Sequence, residues 1–117
     1  MMSAQLPDDP QWKRAHTLLS TTNTSADLAL IGVPAHLSSI SPTNADQTPD
    51  AIRSALARYS TFSTSDNLDL ADNPIADLGN VQSPDGVEGI ARVHSAVKGL
   101  LNKHKLLIAL GGDNSIT

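Results

Sequence analysis

The sequence predicts an α/β fold in which a parallel sheet carries helices on its faces. Residues 28–33 (LALIGV) and 106–110 (LLIAL) are continuous apolar runs of strand length. Such runs are typical of parallel strands that are covered on both sides. Segments with helical spacing of apolar residues separate them, and strands that alternate with helical crossovers form parallel sheets. We therefore expect a single parallel sheet that is covered by these helices.

A first helix is predicted near the amino terminus. Pro10 would occupy its first position after an aspartate cap, where a missing N–H costs nothing. Trp12, Ala15 and Leu19 then follow at helical spacing. The run of Ser, Thr and Asn at residues 20–25 is expected to end this helix.

A second helix is predicted to begin at Thr48, as its cap, with Pro49 as its first residue. Apolar residues at i, i+3, i+4 and i+7 mark the face that we expect to be buried: Ile52, Ala55, Leu56 and Tyr59. After a polar stretch, residues 75–78 predict a short strand that Gly79 and Asn80 close.

The third helix is predicted to open at residues 84–86 (PDG). Its apolar face repeats at alternating steps of three and four: Val87, Ile90, His94, Val97 and Leu101. His94 is therefore expected to be a hydrogen-bonded core residue, whereas His16 and His104 are expected at the surface.

Composition excludes several function classes. The chain has 117 residues and a net charge of −4, without a Lys/Arg cluster, so a nucleic-acid interface is not expected. The absence of cysteine excludes disulfides and thiolate metal sites. No apolar run approaches the roughly 20 residues needed to cross a bilayer, and residues 1–10 do not resemble a secretory signal. We expect a cytoplasmic protein of one domain or less.

Ligands of parallel α/β sheets bind beyond the carboxyl ends of the strands. Three segments are expected there: the loop after Val33, the turn after Leu78, and GGDNSIT after Leu110. The loop at 35–47 is long, and long loops in compact domains are often functional. His36 in this loop is a candidate substrate contact, the alternative being a solvated loop residue.

The GGDNSIT segment is the sharpest feature. Two glycines allow a tight turn, and Asp113, Asn114 and Ser115 follow with groups that hydrogen-bond or ligate. An ordinary strand–turn–helix junction, with Ser115 as a cap, is an open alternative. An anion cradle is a weaker one, because the sequence lacks both glycine signatures of phosphate binding and Asp113 would repel phosphate. A serine hydrolase is not expected without a G-x-S-x-G elbow.

Four segments, LALIGVP, TPDAIRSALARYSTF, IADLGNV and LIALGGDNSIT, follow one another in residues 28–117. In content and order they resemble the blocks of the ureohydrolase family (arginase, agmatinase and formiminoglutamase). The resemblance implies an arginase-like fold, with three α/β/α layers and a parallel central sheet, of which residues 28–117 are the N-terminal portion. The lead and helix predicted at residues 1–27 precede the part that the resemblance covers. It also implies two Mn2+ ions at the strand ends and hydrolytic attack on a guanidinium or formimidoyl carbon.

In that family the last block usually reads GGDHS, and its histidine ligates manganese. Asn114 stands at this position, and an amide oxygen is a weaker donor for such metals than imidazole. Weak or altered ligation is therefore expected, the alternative being loss of this metal. Asp113 is expected to orient that ligand or the loop, the alternative being a turn aspartate that bonds its own backbone. The family's later ligand blocks, D-A-H-x-D and D-x-D, are absent from residues 1–117, so these residues alone should hold no metal pair and be inactive.

The leading hypothesis is that the chain is part of a formiminoglutamase-like hydrolase, which acts on a small molecule in nitrogen or histidine breakdown. Asn114 and the ARYSTF and SPDG stretches resemble that branch of the family. A homo-oligomer is expected from the family. A non-catalytic relative with a decayed site and a nucleotide-binding α/β domain are the alternatives. The 117 residues alone are expected to be marginally stable or to associate.

Overall fold

The computed structural model describes residues 11–116. In chain order its elements are β1 (Leu19–Ser20), β2 (Leu28–Val33), α1 (Thr48–Ala55), β3 (Phe62–Ser63), β4 (Leu68–Asp69), β5 (Ile75–Asn80), α2 (Gly86–Leu101) and β6 (Leu106–Gly111). Turns of 3-10 helix lie at Ala15–Leu18, Ala45–Gln47, Leu56–Arg58 and Asn114–Ile116. No helix within these residues is long and apolar enough to cross a membrane.

The four-stranded sheet has the order β1-β5-β2-β6, and all of its neighbouring strands are parallel. This confirms the predicted parallel sheet with helical connections. The strand β2 is central, so five of its six residues are buried. Ala29 and its register partner Ala76 on β5 are both fully buried, and their small side chains form the centre of the core.

The strand β5 is longer than the predicted 75–78 and contains an irregularity. Leu30 pairs with Asp77, but Gly32 pairs with Asn80, so β5 holds one extra residue. Gly79 absorbs it with a φ of 77°, a left-handed conformation that suits glycine. A Cβ on Gly32 would lie 1.9 Å from Asn80 Oδ1, so the bulge needs glycine on the facing strand as well.

The predicted first helix is wrong for the residues that the structure describes; its Pro10 and aspartate cap lie outside them. A 3-10 turn at Ala15–Leu18 replaces it, and β1 follows at once. Backbone groups that a helix would pair locally instead bond distant parts of the chain. Ala15 N–H donates to Tyr59 O at 2.7 Å, and Leu19 pairs with Ile75.

The second helix begins as expected within one residue. Thr48 is helical with φ −61° and ψ −47°, Gln47 takes the cap position, and no side chain caps the helix. The prediction of Thr48 as the cap is therefore wrong, because the preceding 3-10 turn at Ala45–Gln47 already runs into the helix. Pro49 is fully buried at its start.

The apolar faces of both helices are more exposed than their periodicity predicts. Ile52 and Tyr59 are 37% and 63% exposed, and on α2 the values are 87% for Val87, 61% for Ile90 and 59% for Leu101. A groove of about 560 Å³ follows this face of α2 toward the end of β6. Within residues 11–116 these faces are therefore only partly covered.

Candidate functional site

The carboxyl ends of β2 and β6 are joined by backbone hydrogen bonds. Gly112 N–H donates to Val33 O at 3.1 Å, and Asp113 N–H donates to Ala35 O at 2.9 Å. A Cβ on Gly112 would lie 2.4 Å from Ala35 O and 2.6 Å from Ala35 N. Only glycine permits this approach, and the second glycine of GGDNSIT therefore fixes the turn against the loop after β2.

Asp113 lies at the centre of this junction. Its Oδ2 accepts a hydrogen bond from Ser39 Oγ at 3.2 Å, and its Oδ1 accepts one from Ser115 N–H at 3.0 Å and another from Ser115 Oγ. The Ser115 hydroxyl chiefly lowers the pKa of Asp113; the Ser115 amide and Ser39 act in the same direction, while desolvation opposes them. Asp113 thus bonds its own turn and also holds the loop after β2.

Asn114 opens the final 3-10 turn and is exposed beside Asp113. Ser115 lies inside that turn, so it is not the cap considered from the sequence; Asp113 accepts the Ser115 amide instead. Among residues 11–116, no three side chains of His, Cys, Asp or Glu lie close enough together to hold a metal ion.

His36 is held next to the amino end of α2. Its backbone N–H and that of Leu37 donate to Asp85 Oδ1 at 3.1 and 3.0 Å. The imidazole Nδ1 lies 3.4 Å from Asp85 Oδ2, without hydrogen-bond geometry. Asp85 carries no functional signal in the sequence, because an aspartate in PDG is typical of the cap of its own helix.

Arg53 of α1 and Asp77 of β5 form a second cluster. The guanidinium donates from Nε and Nη2 to the two Asp77 oxygens at 3.1 Å each. It also donates to Asp50 Oδ1 at 2.9 Å, to Asn80 Oδ1 at 2.6 Å and to Gly79 O at 3.0 Å. Asp77 accepts the Gly79 amide as well, at 3.1 Å, so it bonds its own turn and also anchors α1.

Two histidines differ from their predicted environments. His104, expected at the surface, is only 8% exposed, and its Nδ1 lies 2.6 Å from Ala26 O. The turn after α2 carries it under the start of β2. His94, expected in the core, is exposed and borders the groove along α2, because that helix face is only partly covered. His16 is exposed as predicted.

Comparison with known proteins supports the same fold and family. Residues 26–117 match the sequence profile of the Arginase family. A formimidoylglutamase of Halalkalibacterium halodurans is 39% identical over 92 residues, which are 75% of this chain and 29% of that protein. A formimidoylglutamase of Bacillus subtilis is 36% identical over 93 residues, again covering 29% of its length.

Solved structures share the fold, and this chain again covers only part of their length. The crystal structure of Bacillus subtilis formimidoylglutamase has a TM-score of 0.82 and 29% identity, covering 99% of this chain and 38% of that one. The Trypanosoma cruzi formiminoglutamase with Mn2+ has a TM-score of 0.76 and 24% identity, covering 88% of this chain and 36% of that one. The chain thus spans about a third of the length of its relatives, and with residues 26–117 matched it belongs to the arginase family.

Proposed function

We propose that this chain is the amino-terminal part of a manganese-dependent formimidoylglutamase. The observation that carries the proposal is the 39% identity to a formimidoylglutamase over 92 residues. The reaction would add water across the formimidoyl C–N bond of formimidoylglutamate, releasing glutamate and formamide. Residues 28–117 would form the beginning of the catalytic domain, with residues 1–27 as its lead.

Asn114 is proposed as one manganese ligand, through its amide oxygen. It lies at the carboxyl end of β6, where parallel α/β sheets bind ligands, and the Trypanosoma cruzi enzyme with this fold contains Mn2+. When bound, the metal would supply Lewis acidity to the hydrolysis. Asp113 would hold the turn that presents Asn114, since its carboxylate accepts bonds from Ser39 and Ser115.

His36 is proposed as a weak substrate contact. Its backbone is held by Asp85, and it borders an open depression shared with Asp46 and Asn80. A partly exposed imidazole at this place could donate to a carboxylate of the substrate, and formimidoylglutamate carries two. The natural protein is further expected to be a cytoplasmic homo-oligomer that acts in histidine breakdown.

Turnover by the complete natural protein tests the proposal. We expect glutamate release from formimidoylglutamate in the presence of Mn2+, and much slower hydrolysis of agmatine and arginine. Turnover of agmatine or arginine, but not of formimidoylglutamate, would contradict the proposed substrate and still support a hydrolase. Absence of all three activities, together with far less than two Mn2+ per chain, would favour a non-catalytic relative. The isolated 117 residues are expected to be inactive in the same assay.

A further inference from the structure

We propose that Asp85 is a positioning residue, which ties the loop after β2 to the start of α2 and thereby sets the place of the Asp113–Asn114 turn. This inference rests on the proposed function, because the turn matters chemically only if Asn114 ligates a metal. The link runs from Asp85 through the backbone of residues 36–37 to Ser39, and from Ser39 to Asp113.

The Asp85 carboxylate makes no capping hydrogen bond to its own helix. Asp85 occupies the cap position of α2 with extended backbone, yet its side chain makes no capping hydrogen bond there. An aspartate at this position normally accepts from an amide of the first turn. Here Oδ1 instead accepts from His36 N–H and Leu37 N–H, which lie 49 and 48 residues earlier in the chain. The side chain is therefore committed to a long-range contact.

The segment that carries Asp85 is itself held firmly. Arg92, two turns along α2, donates from Nε and Nη2 to Ser83 O at 3.1 and 2.8 Å. Pro84 is buried, and Gly86 takes a φ of 79°. With Ser83 bonded to Arg92 and the Asp85 side chain only 10% exposed, the carboxylate is better enclosed than the loop that it contacts.

The loop passes this constraint to the site. Ser39 lies two residues after the anchored amides and donates from Oγ to Asp113 Oδ2 at 3.2 Å. The same turn is bonded to the loop at Ala35 O by the Asp113 amide. Asn114 follows directly, so a displaced loop would displace a candidate ligand. Groups behind metal ligands typically change affinity about 10- to 100-fold when they are removed.

The test compares variants of the complete natural protein. Asp85→Ala removes the anchor. Asp85→Asn keeps one carbonyl oxygen in place of Oδ1, which accepts both closer amide bonds, and should therefore rescue. Ser39→Ala cuts the second half of the link. Asp27→Ala is the matched control, since Asp27 is an exposed carboxylate whose ion pair with Lys105 lies before β2, away from the strand ends.

Two readouts separate positioning from general stability. In hydrogen–deuterium exchange, Asp85→Ala should expose the amides of residues 36, 37 and 113, and Ser39→Ala that of residue 113. In Mn2+ titration, both should weaken binding about tenfold, while Asp85→Asn and Asp27→Ala stay within about twofold.

Unchanged exchange at residue 113 in both Asp85→Ala and Ser39→Ala would overturn the inference, as would unchanged Mn2+ affinity beside a wild type that binds. If Asp85→Ala does not fold, Ser39→Ala decides alone: unchanged exchange at residue 113 or unchanged Mn2+ affinity in this variant would overturn the inference. Failure of the proposed function would give a different result from failure of this inference. The wild type itself would then neither bind Mn2+ nor turn over substrate. Asp85 would in that case have no metal ligand to position, whatever the exchange pattern.

Discussion

Asn114 is the residue that we propose as a manganese ligand. It lies exposed at the start of the final 3-10 turn, after an Asp113 that is fixed by three donors. Imidazole binds divalent transition metals more strongly than an amide oxygen does. Asn114→His in the complete protein should therefore raise Mn2+ affinity by about tenfold, roughly 1.4 kcal/mol.

Calorimetric or magnetic-resonance titration with Mn2+ measures this change. Asn114→Ala is the control and should lose affinity for one ion. Equal Mn2+ binding by the wild type and both variants would mean that the side chain at this position does not reach the metal.

Gly112 is constrained by its neighbours and not by its own backbone angle. A Cβ there would meet Ala35 O at 2.4 Å and Val33 O at 2.7 Å, and these are backbone atoms that cannot rotate away. Gly112→Ala should lower the free energy of unfolding by about 1 to 3 kcal/mol. Gly99→Ala is the matched control, because nothing lies within 4 Å of its Cβ inside α2, and it should stabilise by about 0.5 to 1 kcal/mol. Denaturant unfolding of both variants checks the contrast, which would be contradicted if both behaved alike.

Asp113 also predicts a pH dependence. Hydrogen bonds, chiefly from Ser115, lower its pKa in the folded state from the ordinary 3.8, so the unfolded state binds the proton more readily. The resulting stabilisation is fully present above the ordinary pKa and disappears as the pH falls through the lowered folded value. Ser115→Ala should move the pKa of Asp113 back up, as measured by carboxyl NMR titration. Ser63→Ala should leave it unchanged, because the Ser63 hydroxyl bonds Asp66 within the hairpin of β3 and β4. An unaltered Asp113 titration in Ser115→Ala would show that another group sets the shift.

Among the helices and strands, those with a clear apolar pattern in the sequence were predicted correctly. The strands β2 and β6 and the helix α2 lie where apolar runs and helical spacing place them. The strand β1 was missed because two residues carry no pattern, and only pairing with Ile75 and Ala76 makes them a strand. The hairpin of β3 and β4 was missed for the same reason: its two-residue strands lie in a polar stretch, and Thr61 Oγ1 donating to Asp69 helps to hold its base.

Arg53 joins two of these elements, α1 and β5. Its side chain and that of Asp77 are 16% and 12% exposed, and the pair is bidentate. Removing one partner of a largely buried pair leaves an uncompensated charge, so Arg53→Ala should cost about 3 kcal/mol of unfolding free energy. Arg53→Lys should recover only part of this, because an ammonium lacks the planar fork.

Lys105→Ala provides the comparison for an exposed pair. Lys105 and Asp27 are 3.4 Å apart and are 81% and 69% exposed, so its loss should cost under about 1 kcal/mol. Thermal or denaturant unfolding of the three variants measures the order. Equal losses for Arg53→Ala and Lys105→Ala would contradict the bracing role of Arg53.

For the whole molecule, the place of the candidate site in the fold could be predicted, but the contacts that connect its residues could not. Parallel strands place their carboxyl ends at one edge, and that alone located His36 and Asp113. The contact of Asp85 with His36 spans 49 residues and that of Ser39 with Asp113 spans 74. Neither has a local signature, because an aspartate before a helix and a serine in a loop are ordinary residues wherever they occur. Such pairs follow only from the three-dimensional fold.

The exposed edge and apolar face of the molecule predict how the 117 residues behave in isolation. The strand β6 is an edge of the sheet, Leu106 on it is 54% exposed, and the neighbouring face of α2 presents Ile90 and Leu101 at 61% and 59%. An unpaired edge beside an apolar groove favours association. Sedimentation velocity should show oligomers that grow with concentration. Ile90→Lys with Leu101→Lys should reduce them by placing charge on the apolar face, whereas Lys98→Arg should not. A monomer with a sharp, reversible and concentration-independent melt would instead mean that these exposed surfaces are tolerated by residues 1–117 alone.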